Sequence, residues 1–247
     1  MDRGILYIAT GKNFTKELLL SAESVKKHNP GIHITAFVDY AIESEFVDQF
    51  YQIDANHIRP KVDFIEQSPY DQTIFLDTDT IVDYNIMDMF DLLDNFDFGI
   101  THCIARKRKK YSNLIPEYGK IPYSFSECNT GVFVFKKNDR TLKLFSEWKR
   151  YFQKYFNVCP WDQATFRVSI WNACMEGLKL YIFPVEYNIR SKANREKNRK
   201  MHDQFGEEHL TPRIYHMHAD NRINKGTYEV ASLKEALEYC KNNFMEY

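Results

Sequence analysis

Short apolar runs alternate along this chain with stretches whose apolar residues recur at helical spacing. Residues 4–10 read as a buried strand that breaks at Thr10-Gly11, and 15–28 as an amphipathic helix stopped by His28-Asn29-Pro30-Gly31. A second strand follows at 32–38 and ends in Asp39, then a helix is expected near Glu43, a short strand at 51–53 and a helical segment at 60–67 that includes Lys61. Residues 73–76 form the next strand, with Asp77-Thr78-Asp79 at its carboxyl end. Beyond it the pattern gives a helix at 87–93, strands at 96–104 and 131–135, helices at 139–156 and 162–173, and strands at 178–183 and 213–217. Ser232, with Glu235 three residues on, marks a capping box for a terminal helix. Such β-α-β order predicts an α/β fold, a Rossmann-like, mixed but mainly parallel sheet flanked by helices, with ligands gathered at the carboxyl ends of the strands.

Two polar connections interrupt the pattern. Residues 105–127 are basic and tyrosine-rich, and 188–212 carry a second concentration of charge; both are longer than ordinary turns and read as functional loops. No linker divides the chain, so 1–247 is expected to be a single domain, with a nucleotide-binding part at about 1–104, an acceptor and sugar part at about 105–230 and a terminal helix at 232–246.

Composition narrows the function classes. With 33 Lys and Arg against 34 Asp and Glu, the chain has no global field for nucleic acid, and its basic runs match no nucleic-acid motif, so none is expected as a partner. No segment reaches the roughly 18 apolar residues of a membrane-spanning helix. The N-terminus lacks the pattern of a signal peptide. Five cysteines without metal-binding spacing fit reduced thiols, and the expectation is a cytoplasmic protein. The runs Arg106 to Tyr111 and Arg190 to Lys200 are read either as solvated loops, as covers over an anionic donor, or as patches for peripheral association with an anionic membrane surface.

The candidate chemistry starts at Asp77 and Asp79. On an extended strand two carboxylates at i and i+2 point the same way and need a compensating charge. A divalent cation with hard oxygen ligands, Mg or Mn, supplies it and completes its shell with phosphates, which describes a nucleotide-diphosphate site. The alternative is that the pair only caps a turn.

The segment Ser68-Pro69-Tyr70-Asp71 with TIFLDTDT resembles the approach to the DxD motif of GT-A glycosyltransferases, and is most similar to the glycogenin and lipopolysaccharide galactosyltransferase group, glycosyltransferase family eight. Other pieces of that group's pattern follow in order over about residues 4–222: Tyr7 to Phe14, Asn129-Thr130-Gly131-Val132, Asp162-Gln163, Phe183 to Asn188, and His216-Met217-His218-Ala219. The resemblance implies a metal-dependent transfer of a sugar from a nucleotide-diphosphate sugar, expected to be a UDP-sugar, with retention, to a glycan, lipid or protein acceptor. It makes Asp77, Asp79 and His216 the metal ligands, with His218 as the alternative by a one-register slip. Asp162 and Gln163 would act at the sugar. Thr10, Asn13, Phe14, Asp39, Lys61, Thr78, Asn129, Asn188, Arg222 and Lys225 would contact the nucleotide-sugar, with Phe14 stacking on the base. An imidazole beside two carboxylates makes Mn the expected ion, with Mg as the alternative.

Two departures from the group's pattern are Ala219 in place of a glycine and Arg222, with Lys225 nearby, in place of a diphosphate-binding lysine. Three rivals remain: a haloacid-dehalogenase-like phosphatase, although Ile81 departs from its motif; a sugar nucleotidyltransferase, although only Gly11 stands where a glycine-rich phosphate loop belongs; and a non-catalytic nucleotide-sugar or glycan-binding module.

Overall fold

The computed structural model describes residues 2–40, 42–190, 211–216 and 232–245. Its core is a seven-stranded sheet made from β1 (Arg3–Ala9), β2 (Ile34–Val38), β3 (Gln49–Gln52), β4 (Gln72–Leu76), β6 (Phe98–His102), β7 (Cys128–Lys136) and β8 (Leu180–Ile182), in the order β3-β2-β1-β4-β7-β6-β8. All neighbours are parallel except β7, which runs antiparallel to both β4 and β6. The expected mixed, mainly parallel sheet is what the chain forms.

Both faces of the sheet are covered, which explains why its strands read as unbroken apolar runs. Alternate residues Ile5, Tyr7, Ile34, Ala36, Ile74 and Leu76 pack beneath α1 (Lys12–His28), through Leu18, Ala22 and Val25. Their neighbours Leu6, Phe37, Phe75, Phe133 and Phe98 face α6 (Asp139–Tyr155) and α7 (Asp162–Met175), through Leu144, Phe145, Trp148, Phe166 and Ile170. On this second face Phe75, Phe133 and Phe98 stack in a row, with ring centroids 4.8 and 5.1 Å apart. Much of the aromatic share is thus spent on one layer of the core.

A second, two-stranded ribbon pairs β5 (Thr80–Val82) antiparallel with β9 (Ile214–His216), Thr80 opposite His216. The terminal helix α8 (Leu233–Met245) packs Leu233, Ala236 and Leu237 on Ile81 and Tyr215 of this ribbon, and the Ser232 hydroxyl accepts from the Glu235 N–H at 3.3 Å.

Several expectations are corrected. No helix forms at Glu43; the segment before β3 is turn and extended chain, with only Val47 buried among 43–48, so the local spacing had no face to bury. Asp77 and Asp79 do not lie on an extended strand: β4 ends at Leu76, and residues 77–79 form a turn closed by Thr80, whose N–H and hydroxyl both donate to the Asp77 carbonyl. The 105–127 connection holds two short helices, α4 (Lys109–Leu114) and α5 (Pro116–Lys120), because Tyr111, Ile115 and Tyr118 bury against Tyr151, Ala164 and Val168. The remaining short helices, α2 (Lys61–Phe64) and α3 (Asp88–Asp91), lie within the expected helical segments. His218, Arg222, Lys225 and most of the 188–212 connection lie outside the described residues.

Candidate active site

The antiparallel course of β7 builds the site. Because Leu76 pairs with Val132, residues 129–131 at the start of β7 pass beside the turn that leaves β4, and the Asp77 N–H donates to the Gly131 carbonyl at 2.7 Å. A side chain at 131 would collide with the site itself: a Cβ there would lie 2.2 Å from His216 Cε1 and 2.7 Å from Asp77 Oδ2. Only glycine lets the strand approach so closely. The β5-β9 ribbon then brings His216 opposite Thr80, one residue after Asp79.

Asp77, Asp79 and His216 converge so that one ligand atom from each lies within 4.8 Å of the others, the one such group among the described residues. His216 Nε2 is 3.2 Å from Asp79 Oδ2 and 3.9 Å from Asp77 Oδ2. Its Nδ1 meets Asn188 Oδ1 at 2.9 Å, while the Asn188 amide nitrogen is used by Asn129 Oδ1 at 2.7 Å and Thr101 Oγ1 at 3.1 Å. Asn188 therefore accepts from the imidazole, Nδ1 carries a proton, and Nε2 is turned toward the two carboxylates. Two carboxylate oxygens and an imidazole nitrogen turned toward one another can hold a cation between them, and the backing of a metal-binding histidine by a hydrogen-bonded partner is the usual arrangement.

Lys61 joins this cluster to the next. Its ammonium donates to Asp77 Oδ1 at 2.9 Å and Oδ2 at 3.2 Å and to the Thr130 carbonyl at 2.9 Å, and lies 3.3 Å from Asp162 Oδ2. Burial pushes its pKa down, but Asp162 and Asp77 outweigh that and hold it above the ordinary lysine value. Asp162, in the first turn of α7, is buried as well; desolvation raises its pKa, whereas Lys61, Arg59 (Nε to Oδ1, 3.4 Å) and the Thr130 hydroxyl (2.8 Å) bring it below the usual carboxylate range. Gln163 beside it accepts from Asn129 Nδ2 at 3.0 Å and donates to Glu127 Oε1.

These groups line one cleft of about 490 Å³. Of the residues anticipated, Thr10, Phe14, Lys61, Asp77, Thr78, Asp79, Asn129, Asp162, Gln163 and His216 border it. Asn188 lies behind His216. Asp39 instead accepts from the Gly11 N–H with both carboxylate oxygens, at 3.0 and 2.9 Å, fixing the positive-φ turn that leads into α1. Asn13, in the first turn of α1, is exposed and does not border the cleft, whereas Phe14 beside it is 48% exposed at the rim.

Other residues in and behind the cleft carried no motif. Arg59 lies two residues before Lys61 and over the Trp161 ring at 5.7 Å, its one signal being an arginine next to the proline that opens a helical turn. Glu127 shares an alternation with Asn129 and Gly131, which could have placed all three on one face of a strand. The basic run is anchored in part: Lys107 donates to the Gly119 and Ile121 carbonyls and Arg108 and Tyr111 border the cleft, while Arg106, Lys109 and Lys110 are exposed. Among the described residues no helix is long and apolar enough to cross a membrane, and all five cysteines are free thiols.

Comparison with known proteins places this geometry. The family model of nucleotide-diphospho-sugar transferases matches residues 72–228, from β4 through the β5-β9 ribbon. No curated protein matches the chain significantly. Among solved structures, the galactosyltransferase LgtC in complex with donor and acceptor sugar analogs is 19% identical, with a TM-score of 0.58 over 87% of this chain and 86% of that one. Mouse xyloside xylosyltransferase 1 is 16% identical, with a TM-score of 0.57 over 88% and 98% of the two chains. The glycosyltransferase GlyE of Streptococcus pneumoniae is 16% identical at a TM-score of 0.62, covering 97% of this chain but 60% of its own length. At such identities the likeness concerns the fold, and the family match concerns the sequence. Together they show that this chain is a member of the nucleotide-diphospho-sugar transferase family, built on the GT-A fold of glycosyltransferases.

Proposed function

We propose that the protein transfers a hexosyl group from a UDP-sugar to a glycan-bearing acceptor, with retention of anomeric configuration, and that Asp77, Asp79 and His216 hold a divalent cation in doing so. The observation that carries this reading is the convergence of those three side chains beside Lys61 in a cleft that also holds Asp162 and Gln163. The mixed oxygen and nitrogen donor set favours Mn over Mg. When bound, such an ion supplies positive charge against the departing diphosphate.

The chain's own groups divide the remaining work. Phe14, half-exposed at the rim, is the ring assigned to the base. Lys61, Arg59 and Arg108 supply cationic hydrogen-bond donors along the cleft. Asp162 is positioned for donor-sugar hydroxyls, and the Gln163 amide for the positive charge that develops at the anomeric carbon. Retention is supported by the chemistry of the lining. An inverting transferase needs a base for the acceptor hydroxyl, and among the described residues the carboxylates that border this cleft are the Asp77 and Asp79 pair and Asp162. Asp162, held below the usual carboxylate range by two cations, is a poor base. The placement of Arg108 and Tyr111 on the cleft supports a cover over the donor for the basic run, in preference to a membrane patch.

The direct test is a screen of nucleotide-sugars for slow release of nucleoside diphosphate, which requires no knowledge of the acceptor. A UDP-hexose should be cleaved, faster with Mn than with a chelator. Turnover indifferent to metal, or none with any donor, contradicts the proposal.

A further inference from the structure

Behind the cleft lies a carboxylate that the proposed donor chemistry does not use. Glu127, immediately before β7, has no exposed surface. One of its oxygens accepts from Gln163 Nε2 and faces Arg108 Nε at 3.6 Å; the other accepts from the Tyr118 hydroxyl at 2.8 Å. The Tyr118 oxygen itself accepts the Arg108 backbone N–H at 2.8 Å, so its own proton is directed at Glu127.

This arrangement dictates which way the Gln163 amide turns. A carboxylate offers no proton, so Gln163 must present its NH₂ to Glu127 and its carbonyl oxygen to the other side. There it meets the Asn129 NH₂ at 3.0 Å, and Asn129 cannot reverse, because its carbonyl is held by the Gly131 N–H at 3.1 Å and by Asn188 at 2.7 Å. Asn188 in turn accepts from His216. The bonds from His216 through Asn188, Asn129 and Gln163 all donate in one direction, and the run ends on Glu127. Aligned hydrogen bonds of this kind polarise one another in a water-poor interior, and a negative charge at the accepting end draws electron density onto each carbonyl oxygen along the row.

We propose that Glu127 is a positioning residue for Gln163: its buried charge fixes the orientation of the amide and makes the Gln163 carbonyl oxygen a stronger partner for positive charge in the cleft. The inference rests on the proposed sugar-transfer chemistry for its consequence, but the hold of Glu127 on Gln163 is measurable without it. A merely structural Glu127 would matter to folding and leave the amide's electronic character unused.

Glu127→Gln keeps the shape and an acceptor oxygen but removes the charge. With Mn and a cleaved UDP-sugar, this variant should lose kcat on the order of tenfold, the scale of lost supporting hydrogen bonds, with donor KM and Mn-dependent UDP affinity nearly unchanged. On a Gln163→Ala background the same change should cost nothing further. In the metal-free protein, the Gln163 side-chain amide protons should resonate downfield and exchange slowly, and should move upfield in Glu127→Gln. An unchanged kcat, an equal loss on the Gln163→Ala background, or an amide signal indifferent to the substitution overturns the inference. Should Glu127→Gln fail to fold, the unaltered protein decides, since rapidly exchanging, solvent-like Gln163 amide protons would exclude the bond. A parental protein that cleaves no nucleotide-sugar refutes the proposed function instead, and the amide resonance still reports on Glu127.

Discussion

The cleft holds two buried carboxylates whose surroundings differ. Asp162 lies between two cations, Lys61 at 3.3 Å and Arg59 at 3.4 Å, whereas Asp79 faces the His216 Nε2 at 3.2 Å. Burial penalises both charges. At Asp162 the protein itself supplies the compensation, and a carboxylate balanced in this way can bind neutral hydroxyls without attracting a metal. At Asp79 the neighbours include a second carboxylate and an imidazole nitrogen, a donor set suited to an ion from solution. The two ends are joined by Lys61, which touches Asp77 on one side and Asp162 on the other. The proposed diphosphate end and the proposed sugar end thus stand on either side of one ammonium.

That contrast is broken most severely at the metal end. His216→Ala removes the nitrogen donor and should lose both Mn-dependent UDP binding and turnover, by more than the roughly 10–100-fold that loss of an outer supporting group costs; calorimetric titration and the donor-cleavage assay read the two. His218→Ala is the companion variant, because its retention of both properties fixes the register of the metal ligand. At the sugar end the expected pattern is different. Asp162→Asn should keep UDP and Mn affinity while cleavage falls on the order of 100-fold or more, since the lost interaction matters chiefly when charge develops at the sugar. Loss of affinity and rate together in Asp162→Asn would erase the distinction between the ends. The smallest effect is expected outside both clusters. Phe14→Ala should weaken UDP and UDP-sugar alike by about 1–3 kcal/mol, the scale of a base-stacking contact, and an unchanged dissociation constant in a folded variant removes Phe14 from the site.

The two ends also differ in how far they could be read along the chain. The strands that carry Thr10 and the Asp77 turn are unbroken apolar runs, because each is buried on both faces, and the periodicity marks them cleanly. Asp77, Asp79 and Asp162 follow directly from the ends of elements. What periodicity missed is held by distant polar contacts. The three-residue strand Thr80–Val82 is too short to show a pattern, yet it sets His216 opposite Thr80 and so beside Asp79. Arg59 and Glu127 meet their partners 103 and 36 residues away in the chain, so no local spacing marks them. The reverse error occurred at Glu43, where a helix-like spacing formed no helix. The two short helices within 105–127 exist because their tyrosines bury against α6 and α7, a tertiary cause that a polar stretch does not announce.

The central claim is that the Asp77, Asp79 and His216 cluster binds a divalent ion that nucleotide binding depends on. Its most direct test is the titration of UDP into the parental protein and into Asp79→Ala, each with Mn and with a chelator. The account predicts that Mn raises UDP affinity in the parental protein and makes no difference in Asp79→Ala. Equal affinity with Mn and with chelator in the parental protein, or metal-dependent binding that survives in Asp79→Ala, would contradict it.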